Sequence, residues 1–106
     1  MKRLAFAALA LLAACAAADG VRRDVAQDLA PTGRLRAAIN LGNPVLAQKD
    51  PARGELRGIS VDLARELGRR LGVPVELIAY DAAGKVTDAV KTGAWDIAFV
   101  LTASVT

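Results

Sequence analysis

Apolar positions fall into four kinds of run along the chain. Leu4 to Ala14 is an unbroken apolar stretch behind a charged start, Met1-Lys2-Arg3. After a polar interval, Arg34 to Leu41 reads as a strand closed by Gly42-Asn43-Pro44, residues that favour leaving regular structure. Asp50-Pro51-Ala52-Arg53-Gly54 is a strong turn signal, and it predicts the tip of a hairpin with Glu55 to Ile59 as its return arm. From about Val61 to Leu71 the spacing is helical, with Leu63, Ala64, Leu67 and Leu71 on one stripe and Arg65, Glu66, Arg69 and Arg70 outside it. Ser60 is placed to cap that helix, Asp62 suits its first turn, and Gly72 with Pro74 ends it. Val75 to Tyr80 predicts a strand, Lys85 to Thr92 a short helix presenting Val86, Ala89 and Val90, and Asp96 to Leu101 a nearly continuous apolar strand.

Strand, hairpin, helix, strand, helix, strand makes two overlapping βαβ units. The expected fold class is therefore α/β, with a three-strand parallel core in the order second, first, third, and a hairpin inserted before the first long helix. Ligands of open α/β sheets bind beyond the carboxyl ends of the strands, here Asn40 to Asn43, Tyr80 to Asp81, and Thr102 to Thr106.

The apolar stretch behind Met1-Lys2-Arg3 reads as an export signal. Eleven residues at about 1.5 Å each reach only about 16 Å, roughly half a bilayer core. Leu12-Ala13-Ala14-Cys15 is similar to a bacterial lipoprotein box, which would remove 1–14 and lipidate Cys15. Ordinary cleavage after Ala16-Ala17-Ala18 is the alternative, and it would discard the cysteine. Residues 15–33 read as a tether, with at most a helical turn from Asp24 to Leu29, and 34–106 as the folded part.

Composition then removes several classes of function. The chain has 106 residues, with 14 Lys and Arg against 11 Asp and Glu, and no stretch mixes dense basic residues with aromatics, so the sequence carries no nucleic-acid signature and no nucleic-acid partner is expected. Lys2 and Arg3 account for most of the basic excess. The absence of histidine excludes Ser/His/Asp and Cys/His nucleophile systems and His-bearing zinc patterns, and a single cysteine excludes an internal disulfide. No cofactor or metal is expected.

The segment Gly58-Ile59-Ser60-Val61-Asp62-Leu63-Ala64-Arg65-Glu66-Leu67 resembles a signature of the family 3 extracellular solute-binding proteins, receptors of bacterial ABC importers for polar amino acids and related solutes. Gly33-Arg34-Leu35-Arg36, Leu71-Gly72-Val73-Pro74-Val75-Glu76 and Gly93-Ala94-Trp95-Asp96-Ile97-Ala98 match the neighbouring parts of the pattern in order, so the resemblance spans about residues 33 to 100. Ser60 departs from it, standing where an acid is usual.

The resemblance implies an N-terminal portion of the first lobe of a periplasmic-binding-protein-like fold. It also implies a small polar solute, an ABC importer permease as partner, and a cell-envelope location with membrane attachment only through a lipid anchor. Solute contacts would come from the strand exits, with Asn40, Asn43, Tyr80 and Thr102 as candidates. The arginine that forks onto a solute carboxylate lies further along in such receptors than Thr106, and the aromatic that often stacks on the solute is replaced by Pro44-Val45-Leu46-Ala47. Trp95 and Asp96 read as packing and turn residues. The alternative function is an exported cyclohexadienyl or arogenate dehydratase on the same fold, for which Asp62 and Asp81 are the nearby acid–base candidates.

Overall fold

A computed structural model of the chain describes residues 20 and 22–100. Cys15 and Thr102, and with them the lipidation site and one candidate solute contact, lie outside the described residues. Along the described chain run helix α1 (22–29), strand β1 (Leu35–Asn40), the short strands β2 (Gln48–Lys49) and β3 (Leu56–Arg57), helix α2 (Ile59–Leu71), strand β4 (Val75–Tyr80), helix α3 (Ala83–Ala89) and strand β5 (Ile97–Phe99). A single 3-10 turn, Val90–Thr92, extends α3.

The expected α/β architecture is present. β4, β1 and β5 form one parallel sheet in the order β4-β1-β5, with Leu35 opposite Val75, Asn40 opposite Tyr80, and Ile39 opposite Phe99. β2 and β3 pair antiparallel as the inserted hairpin. As the central strand, β1 is buried at five of its six positions. Its alanines explain how both layers come close: Ala37 and Ile39 pack with Ala47, Val61 and Ala64 on the α2 side, while Ala38 faces the other way by strand alternation. α3 also packs on β1 and contributes Val86, which is wholly buried.

Three expectations are corrected by the packing. The interval read as a tether is helical over 22–29, because Ala26, Leu29 and Ala30 recur at i, i+3 and i+4 and form a small apolar face that ends in buried Ala30. Ser60 does not cap α2. The helix begins two residues earlier, at Ile59 behind Gly58, which makes no side-chain cap, and Ser60 is buried with its Oγ unpaired. Finally, the buried stripe of α2 is Ser60, Val61, Ala64, Gly68 and Leu71, leaving Leu63 half exposed at 51% and Leu67 at the flank. The helix turns its smallest residues to the sheet because Gly68 abuts β4: a Cβ there would collide with Val75 Cγ2 and come within 3.1 Å of the Val73 carbonyl oxygen.

Gly58 is required for a different reason. Its φ of +126° is accessible to glycine, and a Cβ at this position would lie 2.6 Å from the Leu46 carbonyl oxygen. That same oxygen accepts a hydrogen bond from the Ser60 amide at 3.0 Å, which fixes the base of the hairpin to the first turn of α2.

β1 and β5 are also joined by side chains at their amino ends. The Arg36 guanidinium donates to both Asp96 carboxylate oxygens, at 3.2 Å from Nε and 2.9 Å from Nη2, and to the Gly93 carbonyl at 2.9 Å, while the Arg36 amide donates to Asp96 Oδ2 at 2.9 Å. Burial alone raises the Asp96 pKa, but the hydrogen bonds from Arg36 outweigh it and hold the carboxyl below the usual carboxylate range. A depressed folded-state pKa stabilises the fold above the unfolded carboxylate value and loses that contribution as pH falls through the folded one. The melting temperature is therefore expected to drop on acidification below about pH 4, and Asp96→Asn to flatten that part of the profile. Glu66 is the useful contrast. Arg69 and then Arg70 draw its pKa down to about 2, yet the cluster lies on the exposed face of α2, so Glu66→Gln should change the melting temperature much less than Asp96→Asn.

Candidate functional site

The parallel sheet sends all three of its exits to one end, and that end collects the sequence-derived candidates. Asn40 closes β1 and Tyr80 closes β4 as register partners, so their side chains lie on the same face of the sheet. The Leu41 amide donates to the Tyr80 carbonyl at 2.8 Å, continuing the ladder one residue past the strands. Gly42 then brings the loop after β1 against the loop after β4: a Cβ there would sit 2.9 Å from the Asp81 carbonyl oxygen and 3.0 Å from Asn40 Oδ1.

Asn40 is buried, and its Oδ1 accepts the Gly42 amide at 2.9 Å, which orients the carboxamide. Asn43 has a local role. Its Oδ1 accepts the Val45 amide at 3.1 Å and its carbonyl accepts those of Leu46 and Ala47, so it shapes the turn that delivers Leu46. Tyr80 is half-buried. The structure thus brings Asn40 and Tyr80 together, with Asn43 holding the loop beside them.

At the exit of β5 lies a hollow of about 310 Å³ lined by Leu46, Ala98, Phe99 and Val100. Sequence reasoning placed the solute near the exit of the last strand but did not single out Leu46 or Phe99 as walls. Trp95 packs as expected: its Nε1 donates to the Val86 carbonyl at 2.9 Å, tying the approach to β5 onto α3. Asp81 is exposed and pairs with Lys85 at 3.4 Å, and Asp62 is exposed on α2. Among the described residues no cluster of His, Cys, Asp and Glu could hold a metal ion, and no helix is long and apolar enough to cross a membrane.

With exits, hairpin and hollow in place, the arrangement is that of part of one lobe in a periplasmic-binding-protein-like α/β fold. No protein-family model and no curated protein matches the chain. Solved structures do. The chain is similar to an ancestral cyclohexadienyl dehydratase, with a TM-score of 0.57 and 25% identity, over 67% of this chain and 29% of that one. It is similar to an ancestral cationic amino acid solute binding protein, with a TM-score of 0.58 and 24% identity, over 74% of this chain and 35% of that one. It is also similar to the arginine-bound form of domain 1 from TmArgBP, with a TM-score of 0.57 and 22% identity, over 73% of this chain and 60% of that one. The chain therefore spans about a third of the first two proteins.

Proposed function

We propose that this chain supplies a solute-contacting wall of a binding lobe serving an ABC importer, with an amino acid or a related small polar solute as ligand. The observation that carries the reading is the gathering of all three strand exits at one end of the sheet, with Asn40 paired to Tyr80 across β1 and β4 and the Leu46–Phe99 hollow at the end of β5. A buried, oriented carboxamide offers directional hydrogen bonds, a phenol offers a second polar group, and the hollow accepts an aliphatic side chain. Two of the structural neighbours bind amino acids by their own descriptions, one of them a cationic amino acid binder and the other arginine-bound. The importer permease, export to the cell envelope and lipid attachment at Cys15 belong to the same proposal.

The dehydratase similarity favours a second reading, in which the same exits contribute to elimination on a cyclic acid. Such chemistry needs a proton-transferring group held in the cleft. Asp81, the acid nearest the exits, is exposed and engaged with Lys85, which supports binding over turnover. The discriminating experiment is uptake: cells lacking the gene should lose import of one labelled amino acid from a panel and regain it when the gene is restored. Unchanged uptake across the panel would contradict the importer reading.

A further inference from the structure

At the amino ends of the strands, remote from the exits, α1 and the end of α2 border a separate open groove of about 400 Å³. Its position follows from the chain path, since Leu71-Gly72-Val73 lines it and Pro74, one residue on, accepts the Leu35 amide at the start of β1. Buried Ala30 and Leu71 form its apolar floor together with half-buried Ala26 and Val73. Arg22 and Arg23 stand exposed at its edge.

We infer that this groove is a binding site for a small organic anion with an apolar body, of the medium-chain carboxylate class. A volume of this size falls within the range of about 300–1,000 Å³ common for ligand sites. The apolar floor rewards burial of a hydrocarbon body, which a free inorganic anion lacks, and the two guanidiniums reward a carboxylate, which an alcohol lacks. The end of α2 opposes an anion with the equivalent of about half a negative charge. Two full positive charges outweigh it, and the final turn is already closed by the Gly72 and Val73 amides, which donate to the Arg69 and Gly68 carbonyls at 3.3 and 3.0 Å. This site is independent of the proposed solute face, because the two lie at opposite ends of the sheet.

The test is an amide chemical-shift titration of the ¹⁵N-labelled full chain with sodium octanoate, octan-1-ol and inorganic phosphate. Octanoate is expected to give saturable shifts at Ala26, Leu71, Gly72 and Val73, with octanol and phosphate at least about tenfold weaker. The double variant Arg22→Gln with Arg23→Gln, both exposed positions, should weaken octanoate by about tenfold or more while leaving other amides in place. Ala26→Trp should fill the groove and abolish the shifts. The inference is overturned if octanoate leaves these four amides unmoved, if octanol binds as tightly, or if the double variant keeps the wild-type affinity.

Discussion

Replacing Gly68 by leucine is expected to cost the chain a large part of its folding stability. In an exposed helix, exchanging glycine for a better helix former gains about 1 kcal/mol. At Gly68 the sign reverses, because the first added carbon already collides with Val75 Cγ2 and presses on the Val73 carbonyl. α2 would have to lift from β4, and with it Val61 and Ala64 from the cluster around Ala37 and Ile39. Overpacking of this kind costs about 1–3 kcal/mol and occasionally more, a large share of the roughly 5–15 kcal/mol that holds a typical domain. Gly68→Ala should lose about 1 kcal/mol or more on balance. Gly84→Ala is the control, since nothing lies within 4 Å of a Cβ there and the position is in a helix, so it should be neutral or slightly stabilising. Urea denaturation of the three variants checks the order. Equal stability of Gly68→Leu and the wild type would contradict the packing of α2 on β4.

The second large effect concerns affinity. These 106 residues on their own are expected to bind amino acids more weakly than about 1 mM, with no saturable heat in calorimetric titration across an amino-acid panel. Tight small-molecule sites bury roughly 70–90% of the ligand surface. The described hollow is lined by Leu46, Ala98, Phe99 and Val100, apolar side chains that offer a solute no charged partner. Binding designs of this kind gain strength when a second wall closes, removes water from the charged groups and brings donors from the opposite side. Among the described residues no arginine lines this hollow, so a solute carboxylate lacks a forked partner there.

The architecture was legible because local signals agreed with one another. Gly72 takes the left-handed conformation at the end of α2 with φ +71°, Gly93 does the same after the 3-10 turn with φ +64°, and the turn around Asp50 to Gly54 joins the two arms of the hairpin. What escaped was set by packing partners distant in sequence. The stripe of α2 was read from its leucines, but the sheet accepted Ala64 and Gly68 because β1 and β4 leave little space. The Arg36–Asp96 pair joins residues sixty apart, and its signal was an arginine inside an otherwise apolar strand. At the site, Asn40 and Tyr80 were legible from the rule for strand exits. Their adjacency and the Leu46–Phe99 wall required the register of β1 with β4 and β5.

The central claim is that the exits of β1, β4 and β5 form the solute-contacting face. It is tested most directly by titrating the ¹⁵N-labelled chain with individual amino acids at high millimolar concentration and mapping the amide shifts. The account predicts weak, non-saturating shifts confined to residues 40–46, 80–82 and 98–100, reduced in Tyr80→Phe. Shifts that avoid those three segments, or saturable micromolar binding centred elsewhere, would contradict it.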